Sequence, residues 1–381
     1  MSQLQAPEET LPRRDWFLLP LVVLSVTFVF LGASKLVADR MFSERGRFSC
    51  TTRDRLGLLR QKPNCVCHYK NAEGPTVEYR FNECGYRSAK PCGTKPRDTV
   101  RVVLMGASVT MGLFVPGDET YAARTEAALN RICGRPVEVQ NMGGTVRFSD
   151  QPKLAREALG LSPDVIVLLV APYDLEELAE KAQLSKPHSR TWAEQIRLAW
   201  HDVVLKTRES KFLFAAQHFM LLDPHFLYEA YSSNSGGSRE VLSFPQTPVG
   251  EQMYNEFAKT LDRMMVELKG SGVPLVVMAV PNRVAAALVS NRSNLEGTDP
   301  LWFGRHVSEI AVQHGALALD VTPEFANFPH GEQLFYPVDN HPTGDGHAVI
   351  AQALVDRLTD SSIPQLAACR APQRASQQVS H

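Results

Sequence analysis

Residues 100–114 read VRVVLMGASVTMGLF. An apolar run climbs to Gly106, a single serine, Ser108, follows, and Gly112 comes four residues later. The run 100–106 has the character of a strand buried on both faces, which marks a parallel sheet covered by helices. The two glycines let the backbone turn tightly on either side of the hydroxyl. Ser108 is thereby predicted at the carboxyl end of a strand, where open α/β sheets collect their ligands. Two readings of it compete. It caps the next helix by accepting an orphan N–H, or it is a nucleophile that needs a base oriented by a third group.

Downstream of this stretch the pattern alternates strand with helix. Helices are predicted over 118–133, 150–160 and 344–358, and strands over 136–143, 163–171, 273–281 and 316–322. With 100–106 that makes an α/β fold, a three-layer α/β/α sandwich around a five-stranded parallel sheet spanning 99–360. Residues 185–250 interrupt it as a helical insertion rich in large apolar groups: Trp192, Trp200, Phe212, Phe214, Phe219 and Phe226. This insertion reads as a cap with its own small core, or as a wall of a substrate site. The stretch 38–98, rich in charge, Cys, Pro and Gly, is expected to be an irregular lead-in, and 361–381 a disordered tail.

The 381 residues carry a formal net charge of −1, with 44% hydrophobic and 21% charged residues. No basic face advertises a nucleic-acid partner. Phe17–Ser34 is uncharged, and as a helix it would span about 27 Å, close to the roughly 30 Å of bilayer hydrocarbon. Arg13 and Arg14 precede it, and Lys35, Arg40, Arg45 and Arg47 follow, so the charge bias alone points the wrong way for a cytoplasmic N-terminus. Leu31 spoils the best cleavage site, at Ala33. The expectation is a retained anchor over 16–37 with 1–15 cytoplasmic; a cleaved signal peptide is the alternative.

Of seven cysteines, Cys50, Cys65, Cys67, Cys84 and Cys92 cluster, while Cys133 and Cys369 stand apart. Their spacing completes no zinc pattern. Clustering just beyond a membrane segment suits an oxidising compartment, with Cys84–Cys92 as a candidate bridge, although free cytosolic cysteines remain the alternative.

The sequence LFYPVDNHPTGDGH, 334–347, places Asp339 and His341 two residues apart between Pro337 and Pro342. In an extended segment such residues project to one side, so one stretch could deliver both imidazole and carboxylate. Whether they bond directly depends on the local turn. His347, one turn into the following helix, reads as structural.

These residues together resemble the SGNH (GDSL-like) hydrolase superfamily of esterases, lipases and carbohydrate acetyl-transferring or deacetylating enzymes. The resemblance spans roughly 76–358. It is sharpest in GAS at 106–108, in the D-x-H-P-T segment from Asp339, and in the preceding N-x-x-G-Y-R of Asn82, Gly85, Tyr86 and Arg87, as in extracytoplasmic members. It implies a flavodoxin-like fold with Ser108 as nucleophile, His341 as base and Asp339 as its partner, and no metal or organic cofactor. The oxyanion would be met by backbone N–H groups at Ser108 and near Gly143–Gly144. The chain departs from the family where Val146 takes the second block's glycine position and Tyr173, before Asp174, replaces the third block's asparagine; Tyr173 or Asn141 would have to substitute. The resemblance further implies an O-acylated carbohydrate substrate, with esterase and O-acetyltransferase not separable by motif. It also implies a single-pass protein of a bacterial inner membrane, its catalytic domain in the periplasm. A catalytically depleted carbohydrate-binding or assembly subunit is the competing reading.

Overall fold

The computed structural model describes residues 14–55, 57–184, 210–233, 237–367 and 369. Helix α1 (Asp15–Met41) is followed by short strands β1 (Arg45–Gly46), β2 (Thr51–Arg53), β3 (Leu59–Gln61), β4 (Val66–Lys70) and β5 (Thr76–Arg80). Next come β6 (Val100–Met105), α2 (Ser108–Met111), α3 (Tyr121–Ile132), β7 (Val137–Asn141), α4 (Gln151–Leu159), β8 (Val165–Val170) and α5 (Pro172–Leu184). The chain continues through α6 (Lys211–Leu221), α7 (Pro224–Ser233), α8 (Gly237–Leu242) and α9 (Pro248–Leu268). It closes with β9 (Leu275–Ala279), α10 (Arg283–Ser290), α11 (Trp302–Gln313), β10 (Leu317–Asp320) and α12 (Gly344–Leu358). The described residues form two units, one of 14–43 with 210–217, the other of the remainder.

In the larger unit a five-stranded sheet runs in the order β10-β9-β8-β6-β7, every pair parallel. All residues of β6 and β8 are buried. Because side chains alternate along a strand, Val103, Met105, Ile166 and Leu168 meet α4, α9 and α11 on one face. Val102, Leu104, Val165 and Val167 meet α3 and α12 on the other. The expected α/β/α sandwich is therefore the observed one. Arg101 is the one charge in β6; it is buried, and pairs with Glu138 at the same register of β7 at 2.9 Å while donating to the Gly93 and Leu161 carbonyls. The sheet order reverses at β6: the chain goes from β6 to β7 on one side, then crosses to β8 on the other. Ser108 stands at the carboxyl end of β6, beside that reversal, the place where open α/β sheets collect their ligands.

The lead-in differs from the irregular segment expected. It holds a three-stranded antiparallel sheet, β1-β4-β5, and the β2-β3 pair. Strands of two to five residues are too short to register as periodicity, although TVEYR in β5 does alternate exposed and buried positions. Its core is Cys50, Cys67, Val77, Tyr79 and Phe81, with Met111 of α2 joining it.

The tail assigned to 361–381 also needs correction at its start. Ile363, Leu366 and Cys369 are buried against the α12 face of the sheet. Cys369 is anchored by a disulfide to Cys133, a constraint the sequence does not display. The other disulfides are Cys50–Cys65 and Cys84–Cys92, and Cys67 is a buried free thiol. Such a set fits an oxidising compartment.

Of the insertion, Trp192 and Trp200 lie outside the described residues; α6, α7 and α8 account for much of its second half. In the smaller unit the Phe42 ring, at the end of α1, is 5.4 Å from that of Phe214 in α6. Among the described residues α1 is the one helix long and apolar enough to cross a membrane, with mean hydropathy 2.3 and none of that window buried. A membrane anchor and a signal sequence both satisfy this description.

The Cys133–Cys369 bridge closes a loop of 236 residues, and cross-links of that reach stabilise mainly by restricting the unfolded chain. Replacing both cysteines by serine is expected to cost about 2–4 kcal/mol, read as a lower urea midpoint. An unchanged midpoint would refute this role.

Candidate active site

The turn that carries Ser108 is built by sterics. Gly106 has φ +146°, and a Cβ there would run into the Thr110 hydroxyl. Ser108 then opens α2, a helix of four residues that ends at Gly112 in the left-handed region, φ +74°. So short a helix needs outside support. Arg87 supplies it, donating to the carbonyls of Met111 (2.9 Å), Gly112 (2.5 Å) and Val115 (2.8 Å). This gives the N-x-x-G-Y-R segment a physical role. Asn82 Oδ1 accepts from the amides of Cys84 and Tyr86, Gly85 takes φ +80°, and the turn delivers Arg87 beneath the Ser108 loop. Burial lowers the Arg87 pKa to about 10, which still leaves the guanidinium charged at neutral pH.

Ser108 Oγ lies 2.8 Å from His341 Nε2, and His341 Nδ1 lies 2.5 Å from Asp339 Oδ1. The capping reading of Ser108 is set aside: no side chain caps α2, and the hydroxyl faces the imidazole instead. The local turn that spacing left open is settled by Asn340, whose φ of +66° is one that asparagine tolerates. It folds the segment so that Asp339 reaches the imidazole of His341. Tyr336 N–H donates to His341 O, and Thr343 caps α12 through Gly346 N–H, fixing the far side of the loop. The Phe114 ring stands edge-on to His341 at 5.4 Å.

Two groups that steady this loop are not marked in the sequence. Arg283, buried at the start of α10, donates to Pro337 O (2.7 Å) and Glu332 O (3.0 Å). Glu73, from the lead-in, accepts from the amides of Val338 and Asp339. Nothing near either residue in sequence points to the site. A hint lay only in "NAEG", a turn that places a carboxylate at the tip of an alternating hairpin.

His347 is structural, as expected. It is fully buried, its Nδ1 accepts from Tyr121 N–H at 3.2 Å, and its ring stacks on Tyr121. Burial first, then the nearby guanidinium groups of Arg87 and Arg124, lower its pKa to about 3, so it stays neutral.

The oxyanion assignment changes in detail. Asn141 is buried, and its amide donates to Thr110 O (2.8 Å) while its Oδ1 accepts from Gly143 N–H (2.9 Å). Asn141 as a substrate contact and Gly143 as an oxyanion donor are therefore corrected: both groups are spent on holding the second loop to α2. The amides of Ser108 and Gly144 make no hydrogen bond among the described residues. Tyr173 is 46% exposed in the first turn of α5, at the carboxyl end of β8, whereas Asp174 beside it is buried and accepts from Ala171 N–H at 2.7 Å.

The matched family is described as "SGNH hydrolase-like domain, acetyltransferase AlgX", over residues 241–380. That stretch includes Asp339 and His341; Ser108 lies outside it. No curated protein matches the chain. Among solved structures it is similar to LAE5, an α/β hydrolase enzyme from the metagenome of Lake Arreo, Spain, with 16% identity, TM-score 0.41, and coverage of 71% of this chain and 97% of that one. The lipase/acylhydrolase from Enterococcus faecalis gives 14% identity, TM-score 0.39, and 68% and 95% coverage. Axe2, an acetylxylan esterase from Geobacillus stearothermophilus, gives 14%, 0.37, and 67% and 92%.

Two outcomes test this description of the site. A Cβ on Gly143 would overlap the backbone of Thr110 and Met111, so Gly143→Ala should destabilise by about 1–3 kcal/mol through overpacking. Denaturant unfolding measures this, and a neutral result would contradict the close approach. Burial pushes the Asp174 pKa up to about 7, with repulsion from Glu177 and Glu176 adding to it. Its folded value therefore lies above the unfolded one, so stability is full below about pH 4 and lost as pH rises toward 7, by up to about 4 kcal/mol. Asp174→Asn should accordingly gain in melting temperature over the native chain as pH goes from 4 to 7.5. A constant difference across that range would exclude a raised Asp174 pKa. Residues 241–380 are thus similar to an SGNH hydrolase-like acetyltransferase domain, and the larger unit has the five-stranded parallel α/β fold.

Proposed function

We propose that the protein transfers acyl groups, acetyl foremost, to or from the hydroxyls of a carbohydrate on the outer side of a membrane that α1 anchors it to. Ser108, His341 and Asp339 are its catalytic residues. The observation that carries this reading is the unbroken pair of contacts from Ser108 Oγ to His341 and on to Asp339, at 2.8 and 2.5 Å.

Ser108 Oγ attacks the ester carbonyl carbon while its proton passes to His341 Nε2. Asp339 holds the ring in the orientation that presents Nε2 and stabilises the imidazolium. The oxyanion is met by the Ser108 and Gly144 amides. As the tetrahedral adduct collapses, Nε2 returns the proton to the departing alcohol and an acyl-Ser108 remains. Water then regenerates the enzyme with release of acid, or a sugar hydroxyl does so and becomes the new ester. The acetyltransferase description of the matched family favours the sugar acceptor. Tyr173 in place of an asparagine removes one amide donor to the oxyanion, a loss worth about 10²–10³ in turnover. A modest esterase rate is therefore expected even from the intact triad. The disulfides and the exposed apolar α1 support an extracytoplasmic, anchored placement.

The test uses the full chain in detergent with p-nitrophenyl acetate, a fluorophosphonate probe, and Ser108→Ala. Covalent labelling at Ser108, and a rate that falls by about 10³ or more in Ser108→Ala, are the expected results. Equal rates in both proteins with no labelling would remove the catalytic reading and leave a binding subunit. Adding an oligosaccharide acceptor and weighing it by mass spectrometry separates transfer from hydrolysis.

A further inference from the structure

Glu73 sits in the turn 71–75 between β4 and β5, outside the α/β layers that carry the triad. Its side chain is wholly buried, an arrangement a carboxylate tolerates only when its oxygens are satisfied. They are. Val338 N–H donates to Oε1 and Oε2 at 3.0 and 3.1 Å, and Asp339 N–H donates to Oε2 at 2.9 Å. His218 Nδ1, from α6, lies 2.6 Å from Oε1. The turn is seated against the same residues that flank the imidazole. A Cβ on the neighbouring Gly74 would come within 3.3 Å of the Tyr336 hydroxyl and 3.5 Å of Phe114 O. On the opposite polarity, Arg283 takes the carbonyl of Pro337, one residue before the amides that Glu73 takes. The peptide leading into Asp339 is thus gripped by an anion at its N–H groups and a cation at its C=O.

We propose that Glu73 is a positioning residue of the active site: it fixes the backbone from which Asp339 reaches His341, and His218 fixes Glu73. The lead-in hairpin and the insertion then complete a site whose catalytic residues lie in the α/β domain. This inference rests on the triad reading above, and it goes beyond that reading by assigning work to two segments the triad does not include. A neutral amide at position 73 keeps one acceptor but presents N–H groups to a donor, so the loop must shift. Misplacement by about 1 Å at a reacting group costs on the order of 100-fold.

The experiment is a double-mutant cycle in the full chain in detergent: Glu73→Gln, Asp339→Ala and the pair, each assayed for p-nitrophenyl acetate turnover and for the rate of fluorophosphonate labelling at Ser108. Glu73→Gln is expected to lower kcat and the labelling rate by about 30- to 300-fold with KM within about threefold. On the Asp339→Ala background the same change is expected to cost nothing further, because the residue it positions is gone. A purely structural glutamate would instead add its full loss again. That additive result, or a Glu73→Gln protein within about threefold of native, overturns the proposal. Should Glu73→Gln fold too poorly to assay, His218→Ala carries the same cycle with an expected loss of about tenfold, again absent once Asp339 is replaced. An additive His218→Ala, or one with native rates, overturns it equally. If Ser108→Ala and Asp339→Ala both keep native rates, the triad reading itself has failed. If they are inactive while Glu73→Gln is not, only the role of Glu73 falls.

Discussion

The hydrogen bond between Ser108 Oγ and His341 Nε2 joins residues 233 apart in the chain, and most of what surrounds it holds those two ends in place. A hydroxyl becomes a useful nucleophile only with a base inside hydrogen-bond reach, so errors well below an ångström matter more here than overall stability. Both ends begin on rigid foundations. Ser108 leaves β6, a strand with every residue buried. His341 sits just before α12, whose Ile350, Leu354 and Leu358 are locked into the opposite face of the same sheet. One layer of packing therefore sets the distance between them.

Packing alone does not shape the two turns, and buried charge does that finer work. Arg87 binds buried carbonyls at and just beyond the end of α2, Arg283 binds Pro337 O, and Glu73 binds two successive amides before His341. Each such ion is expensive to bury and adds little net stability against an apolar replacement. What these ions provide is direction: a charge aimed at backbone groups holds irregular chain in one conformation, where apolar contacts would let it slide. Arg101 does the same at the amino end of β6, tying Gly93 and Leu161 to that end of the sheet. The lead-in segment, cross-linked by Cys50–Cys65 and Cys84–Cys92, carries both Arg87 and Glu73. It is thereby part of the site's framework.

Much of this was legible in the residues themselves. The five strands and the closing helix followed from apolar runs and periodicity, because burial on both faces of a parallel sheet leaves few positions for polar groups. Ser108 stood out because glycines two residues before it and four after it let the chain turn, Asp339 and His341 because Pro337 and Pro342 bracket them, and all three because their residue types suit one chemistry. The short strands of the lead-in were not legible, since two to five residues carry too little pattern. Nor was the partner of Cys133, because loop closure over 236 residues leaves no trace in local sequence.

What the sequence determined by itself, then, is the layer order and the candidate residues of the site, both consequences of local preference and of burial along one element. Tertiary structure decided which polar groups are free to act. Asn141 and Gly143 read as oxyanion contacts, yet they satisfy each other and Thr110. Glu73 read as one acid among many, yet it closes on Asp339. The reason is physical: a donor's availability depends on every neighbour within about 3 Å, and those neighbours come from segments that only the folded chain brings together.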